Sequence, residues 1–242
     1  MKIIDVSHHN GVIDWVKVKT SGIDGAIIRA GYGRVSIQKD TMFEKNYAGA
    51  KAAGLHIGSY WYSYADTATD AVTEANVFLD VIKGKIFDLP VYFDIEEQKH
   101  LKLGKSVCTA MVDNFCKTLE QAGYFAGVYS FDSFFTSNLD LSIQDKYSVW
   151  VARVENVKPT SCKKYDMHQY SWKGKVNGIS AAVDMNDCYK DFPNIIKNAR
   201  LNGYSKAQSL FTVTAKISGV SKTKADCVKA ACEQLGMKVN IT

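Results

Sequence analysis

The sequence has few of the features that mark a fibrous, disordered or membrane-spanning chain. Only 3 of its 242 residues are proline and 17 are glycine, while 46% are hydrophobic, which excludes collagen-like and disordered chains. No apolar run approaches the length of a membrane span, and the start, MKIIDVSHHN, reaches Asp5 before a signal peptide could form. We therefore expect a globular protein without a membrane span, either one large α/β domain or one domain with a small appendage.

Cysteine is also scarce. The six cysteines form no CxxC pair and are too few for a disulfide framework, so we expect reduced, buried thiols. The segment Gly31-Tyr32-Gly33 lacks the third glycine of a dinucleotide site, and the basic residues form no nucleic-acid-binding motif. The sequence therefore predicts neither a cofactor nor a nucleic-acid partner.

Alternation is the main pattern that the sequence does have. Short β-branched or aromatic runs alternate with helical stretches, and five such units end with the run Phe125–Ser130. Three more strand-like runs follow at Tyr147–Val154, Tyr165–Tyr170 and Ala182–Asn186, with a hairpin-like loop at Trp172-Lys173-Gly174-Lys175. This order predicts an α/β fold, a modified TIM-like barrel with five βα units followed by three strands.

Four acidic residues fall near the ends of these strands, where barrels of this kind carry their chemistry. They are Asp5, Asp94, Glu96 and Asp184, and closure of the barrel would bring the first and last strands together. In the run PVYFDIEE, side chains alternate, so Asp94 and Glu96 share the inward face with Cα atoms about 6.6 Å apart. Like charges this close favour one protonated carboxyl beside an anion, the pair that glycosidic bond cleavage needs.

Aromatic residues surround these acids in the predicted barrel. Nine lie at or near strand ends, where rings can stack on sugar faces: Tyr32, Tyr60, Trp61, Tyr62, Tyr64, Tyr129, Trp150, Tyr170 and Trp172. Each alone is better explained by packing, as each acid alone is better explained by loop solvation. Together they predict a carbohydrate cleft.

Several stretches resemble the signature motifs of glycoside hydrolase family 25, the Chalaropsis-type lysozymes. They run in order from Asp5-Val6-Ser7 through Ile27–Gly33, Tyr92–Glu96, Trp150–Arg153 and His168–Ser171 to Val183–Asn186. The resemblance covers roughly residues 1–192. It implies an N-acetylmuramidase that cleaves bacterial peptidoglycan, as bacteriophage endolysins do, with no cofactor.

The resemblance also implies roles for individual residues. Glu96 would be the proton donor, and Asp94 would stabilise the cationic sugar, as nucleophile or by orienting the substrate acetamido group. Asp5 and Asp184 would tune charge and position the sugar. The expected substrate contacts are Tyr62, Tyr32, Tyr129, Trp150, Gln169, Trp172 and Asn186. His8-His9-Asn10 departs from the family pattern, in which an aromatic residue and Gln often precede the glycine.

Two other functions compete with this interpretation. His8 and His9 could indicate a metal-dependent hydrolase such as a wall-sugar deacetylase, but adjacent histidines on a strand point apart and no HExxH spacing is present. A non-catalytic sugar-binding barrel is the second alternative. Such a relic usually loses an essential acid, whereas this sequence retains all four.

The predicted domains are a catalytic barrel over 1–193, a linker over 194–207 and a small βαβ module over 208–242. The range 203–242 contains six lysines and only two acidic residues, Asp226 and Glu233. This excess of positive charge suits binding to anionic wall polymers. A module of this size lies below the roughly 40-residue limit for independent stability, so we expect it to pack on the barrel or to form a homo-oligomer. The resemblance implies accumulation in the host bacterial cytoplasm until a holin opens the membrane, and then action on the cell wall.

Overall fold

The computed structural model of the protein describes residues 1–154 and 157–204, together with Lys222, Lys224, Asp226, Cys227 and Lys229. Two compact units divide the chain, Met1–Ser205 and Lys206–Thr242. No helix among the described residues is long and apolar enough to cross a membrane.

Eight strands form a closed barrel in the first unit, and neighbours in sequence are neighbours in the sheet. The strands are β1 (Lys2–Val6), β2 (Gly25–Tyr32), β3 (His56–Tyr62), β4 (Val91–Asp94), β5 (Ala126–Phe131), β6 (Ser148–Ala152), β7 (Met167–Gly174) and β8 (Val183–Cys188). Strands β1 to β7 run parallel, while β8 runs antiparallel to both β7 and β1. The predicted fold class, an α/β TIM-like barrel, is confirmed.

Helices cover the outside of the barrel. They are α1 (Trp15–Thr20), α2 (Phe43–Ala52), α3 (Ala68–Ile82), α4 (His100–Leu103), α5 (Lys105–Gln121), α6 (Phe134–Ser137), α7 (Ile143–Lys146) and α8 (Phe192–Ala199). The long crossover helices α2, α3 and α5 all precede β5. After it only the four-residue helices α6 and α7 occur before β6, so the regular βα alternation ends where the sequence predicts.

Strand alternation divides the core into two layers. Residues such as Val91, Phe93 and Ile95 face the helices, where Phe93 stacks on Phe115 of α5 with ring centroids 4.2 Å apart. The alternate residues, including Tyr92 and Ile3, fill the barrel interior. Apolar and aromatic side chains thus occupy most of both layers, and the acidic side chains of the interior face lie at one end of the barrel.

The direction of β8 corrects one step of the sequence interpretation. Asp184 was expected at the carboxyl end of its strand, but it is the second residue of β8. It nevertheless lies directly opposite Asp5, because an antiparallel strand brings its amino end to the rim where β1 ends. The expected hairpin-like loop at 172–175 is also wrong, since β7 continues to Gly174.

The range predicted as a linker, 194–207, is described as far as residue 204. Helix α8 begins at Phe192, with Asp191 as its N-cap, and buries Phe192 and Ile196 in the interior layer of the barrel. Asn202, in the same range, is fully buried. Its side-chain amide donates to Leu89 O at 2.9 Å and accepts from Phe125 N at 2.6 Å. The segment is therefore part of the barrel unit.

The second unit covers the residues for which the sequence predicts a βαβ module. Lys224, Asp226, Cys227 and Lys229 are helical, within the helix predicted over 224–235, whereas both predicted strands lie outside the described residues. The buried state expected for the thiols holds for Cys108, Cys116, Cys162 and Cys188, but Cys227 is exposed.

Replacing Asn202 tests whether the 192–204 segment stabilises the barrel. Asn202→Ala leaves the Leu89 carbonyl and the Phe125 amide without their partners and places alanine at a φ of 55°. We expect the free energy of unfolding to fall by about 2–4 kcal/mol in urea denaturation. Asn198→Ala, on the exposed face of α8, is the matched control and should change it by less than about 0.5 kcal/mol. Equal effects of the two substitutions would contradict this role.

Candidate active site

The four predicted acids meet at one end of the barrel. Asp5 lies in β1, Asp94 ends β4, Glu96 follows two residues later, and Asp184 lies in β8. All four line a single cleft of about 300 Å³. Asp5 and Asp94 are buried, while Glu96 and Asp184 are partly exposed. The cleft therefore presents four carboxyl groups to a substrate at the rim that the topology predicts.

The carboxyl end of β4 is held by both of its neighbours. The amide of Ser63, just after β3, donates to Asp94 O at 2.9 Å, and the amide of Ile95 donates to Tyr129 O on β5 at 3.0 Å. The backbone that carries Asp94 and Glu96 thus remains sheet-like past the end of the strand. This geometry keeps both side chains on the cleft face while Ile95 packs against the helices.

Asp5 is the most strongly hydrogen-bonded acid of the cleft. Its Oδ2 accepts from Gln169 Nε2 at 2.9 Å and from Asn186 Nδ2 at 2.8 Å. Trp150 Nε1 donates to Asn186 Oδ1 at 2.7 Å, and the Tyr129 hydroxyl donates to Gln169 Oε1 at 2.8 Å. Because their oxygens accept these bonds, both amides must direct their NH₂ groups at Asp5.

Burial raises the pKa of every acid in this cluster. The pKa of Asp5 rises only to about 6, because Asn186, Gln169 and a hydrogen bond from Asp184 favour its anion. The pKa of Glu96 rises to about 7 through burial and the charges of Asp5 and Glu97. Burial and the neighbouring Asp5 raise the pKa of Asp184 to about 8. At neutral pH the negative charge therefore resides first on Asp5, and protonated Asp184 donates a hydrogen bond to it.

Asp94 is the acid whose anionic form receives the least stabilisation from its surroundings. Burial and the charges of Glu96 and Asp5 raise its pKa well above the usual range, although Arg29 opposes the shift. Within the described part of the chain, its buried Oδ1 has no hydrogen-bond partner. This oxygen is thus available to a donor brought by a substrate.

Aromatic rings form the walls of the cleft. Of the predicted contacts, Tyr62, Tyr129, Trp150 and Gln169 line it together with the acids. Trp150 packs against Tyr129 with ring centroids 4.3 Å apart and is almost fully buried, so it forms the floor of the cleft.

Three predicted contacts lie elsewhere. Tyr32 lines an adjoining cleft of about 430 Å³, which shares His9, Arg29 and Tyr62 with the first. Trp172 is 53% exposed, lies outside both clefts and donates to Gln169 Oε1 at 2.8 Å. Asn186 is fully buried beneath Asp5, and its side-chain amide donates to Asp5 Oδ2 at 2.8 Å.

Comparison with known proteins agrees with this geometry. The family model described as "Glycosyl hydrolases family 25" matches residues 4–179, which is most of the barrel. The chain belongs to glycosyl hydrolase family 25. It is thus a member of a family of glycoside hydrolases, as its motifs indicated.

Named relatives of this family 25 chain are described as lysozymes, endolysins and autolysins. It is 33% identical over 189 residues to the "Autolytic lysozyme" of Clostridium acetobutylicum, which covers 77% of this chain but 55% of that protein. The CTP1L endolysin structure superposes with a TM-score of 0.72 at 31% identity, covering 81% of this chain and 69% of that one. LytC of Streptococcus pneumoniae, solved with a synthetic peptidoglycan ligand, gives a TM-score of 0.68 at 30% identity, covering 76% and 46%. The chain therefore spans about half the length of two of these proteins.

Sequence reasoning missed two polar residues of the family 25 site. Arg29 lines the cleft, as does Tyr60 of the predicted aromatic set, and Glu97 accepts a hydrogen bond from the Tyr62 hydroxyl at 2.7 Å. Arg29 could have been found by strand alternation, because it follows Ile27 on the interior face of β2 just as Asp94 follows Tyr92 on β4. Glu97 gave no such signal, since it lies in a loop.

His8 and His9, in the motif that departs from the family pattern, contact an aspartate and each other. His8 Nδ1 lies 2.9 Å from Asp40 Oδ2, which also accepts from Arg29 Nε at 2.8 Å, and the His8 and His9 rings pack 3.9 Å apart. Burial raises the pKa of Asp40, but hydrogen bonds from His8, Met42 and Arg29 outweigh it and lower the pKa overall. Among the described residues, no group of three His, Cys, Asp or Glu side chains could hold a metal ion.

The raised pKa values of the acids in the family 25 cleft should make the stability of the fold depend on pH. An acid whose pKa is higher in the folded state than in the unfolded chain binds more protons when folded, so stability falls as pH rises from about 4 to about 8. We expect Asp184→Asn to raise the free energy of unfolding by about 1–3 kcal/mol at pH 8 and by little at pH 4, measured by urea denaturation. Asp187→Asn, the same change on β8 outside the cleft, is the control. A gain that is equal at both pH values would contradict the coupling.

Proposed function

We propose that the protein hydrolyses peptidoglycan at the β-1,4 bond between N-acetylmuramic acid and N-acetylglucosamine. The observation that carries this proposal is one cleft of a family 25 barrel in which a carboxyl with a pKa of about 7, Glu96, lies near the hydrogen-bonded anion Asp5 and the unpartnered Asp94. Such a site can supply a proton and stabilise positive charge at the same pH. The relatives described as an autolytic lysozyme and as solved with a peptidoglycan ligand support this substrate.

Glu96 is the proposed proton donor. Near pH 7 about half of its carboxyl groups carry a proton, which is the condition for efficient general acid catalysis. The proton passes to the glycosidic oxygen as the bond from that oxygen to the sugar C1 breaks. Water then adds at C1 and returns a proton to the Glu96 carboxylate, which restores the site.

Asp94 is proposed to stabilise the sugar from which the leaving group departs. Its buried Oδ1 has no partner among the described residues and suits the N–H of a substrate acetamido group. A positive charge that develops at C1 would also favour the ionised form of Asp94, which its acidic neighbours otherwise disfavour. Either role, orientation of the acetamido group or direct attack on C1, requires the oxygen that the protein leaves free.

Asp5 and Asp184 are proposed to set the charge of the cleft. Asp5 remains an anion because two amides donate hydrogen bonds to it, and protonated Asp184 donates a further one. This fixed charge raises the pKa of Glu96 and stabilises a cationic sugar at a distance. Tyr62, Tyr129, Trp150 and Gln169 would contact the sugar rings within the cleft, and Tyr32 would do so in the adjoining one.

Glu96→Gln tests the acid assignment. The amide keeps the size of the side chain but cannot deliver a proton, so we expect wall lysis to fall by a factor of about 10³ or more with the fold intact. Asp94→Asn should be nearly as damaging, and Asp5→Asn and Asp184→Asn less so. Glu120→Gln, the same change on the exposed side of α5, controls for loss of a carboxylate. Wild-type turnover by Glu96→Gln would refute the assignment.

The products identify the bond. Digestion of purified peptidoglycan by the wild type should release fragments with new muramic-acid reducing ends, detected by mass spectrometry after reduction. Glucosamine ends or freed peptides would refute the proposed bond, and wall binding without any release would favour the non-catalytic sugar-binding alternative.

The biological role and the second unit are further proposals. Similarity to an endolysin supports a role in lysis of a bacterial host, with accumulation in the cytoplasm until a holin-type release exposes the wall. We propose that the basic residues 208–242 bind anionic wall polymers and make the protein a homo-oligomer, which would add avidity.

Light scattering tests the oligomer proposal. The full chain should give a mass of at least two protomers, and a chain ending at Ser205, the end of the barrel unit, should be monomeric. Monomers in both cases would refute assembly through residues 208–242, and oligomers in both would place the interface on the barrel.

A further inference from the structure

Glu97 is a carboxylate at the cleft that the proposed chemistry does not use. It follows Glu96 directly, in the loop between β4 and α4, and it is partly exposed. Its Oε1 accepts the Tyr62 hydroxyl at 2.7 Å. Tyr62 ends β3, pairs in register with Asp94 and lines the cleft, so this bond joins the loop after β4 to the cleft wall.

The segment after β4 is also joined to the segment after β3 at two further points. Lys99 Nζ donates to Tyr64 O at 2.7 Å, and His100 Nε2 lies 3.0 Å from Ala65 O. The His100 amide donates back to Glu97 O at 2.9 Å, which closes a turn around Glu97. The Glu97 side chain is thus held in place from both ends, and a carboxylate held in this way acts as a fixed charge.

We propose that Glu97 is a positioning residue of this active site, which holds the Tyr62 hydroxyl against the cleft and supplies a fixed negative charge beside Glu96. The proposal rests on the proposed function, because it assigns Glu97 a role in the proton transfer by Glu96. The charge and the hydrogen bond are separate contributions. Each can be removed without the other.

The electrostatic surroundings support a role for the charge. Burial is the largest cause of the raised pKa of Glu96, followed by the charges of Asp5 and Glu97, while a hydrogen bond with Tyr129 opposes it. Asp184 and Asp94 also interact with Glu96. The charged or titratable groups that face Glu97 are Tyr62, Tyr64, Asp94, Glu96 and His100, and Lys99 pairs instead with Asp66. Among the described residues Glu97 therefore has no ion-pair partner within 4 Å, while the carboxyl groups of Asp94 and Glu96 lie near its charge.

Two substitutions separate the contributions. Glu97→Gln keeps an oxygen that accepts from Tyr62 but removes the charge, so the proton of Glu96 is lost at lower pH. We expect the alkaline limb of the kcat/KM profile to move down by about 0.5–1 pH unit, with wild-type activity retained near pH 5. Tyr62→Phe keeps the charge and removes the hydrogen bond, so kcat should fall by about tenfold or more at every pH while the limb stays in place.

A carbon-13 NMR titration of the Glu96 carboxyl in Glu97→Gln provides a readout that needs no activity. The midpoint of the Glu96 titration should shift to lower pH by the same amount, about 0.5–1 pH unit, whatever the substrate is. Asp66→Asn, which removes a carboxylate from the neighbouring loop, should leave the limb and the titration unchanged. An unmoved titration in Glu97→Gln would overturn the inference, and so would a uniform loss of activity at all pH values. A wild type that releases no reducing ends would refute the proposed function alone, because the titration would still decide the role of Glu97.

Discussion

The grouping of four carboxyl groups at one end of the barrel, two of them buried and two partly buried, is the constraint on which the rest of this site depends. Several carboxylates cannot be buried side by side as unpaired anions, because desolvation and mutual repulsion destabilise them. Protonation of some carboxyl groups and hydrogen bonds to the others must offset this cost. The protein concentrates its hydrogen-bond donors on Asp5 and leaves Asp94 with few. This unequal support separates the four pKa values, and the separation lets an anion and a proton donor coexist near neutral pH.

The donors for Asp5 come from distant parts of the chain. Gln169 lies on β7 and Asn186 on β8, and their amides are oriented by Tyr129 of β5 and Trp150 of β6. Only closure of the barrel brings these strands to β1. The antiparallel β8 therefore has a chemical consequence, because it places both Asp184 and Asn186 beside β1, one facing the cleft and one beneath Asp5.

Much of this arrangement follows from local sequence patterns. Alternation along β4 predicts that Asp94 and Glu96 face inward, and the alternation of strands and helices predicts the barrel. The direction of β8 did not follow, because a single strand has the same pattern in either direction. The burial of Asn202 did not follow from the sequence, because a polar side chain that bonds buried backbone groups cannot be told from a solvated one by sequence alone. The position of Asn186 beneath Asp5 did not follow for the same reason, and the hydrogen bond between Glu97 and Tyr62 involves a loop that no periodicity predicts.

Hydrogen bonds to Asp5 separate the pKa of the anion from the pKa of the proton donor Glu96. A carbon-13 NMR titration of the carboxyl groups in the unmutated protein measures this separation. We expect Asp5 to lose its proton first, near pH 6, followed by Glu96 near pH 7 and Asp184 near pH 8. Titration of all three near pH 4, as in an unfolded chain, or ionisation of Asp184 before Asp5, would contradict it.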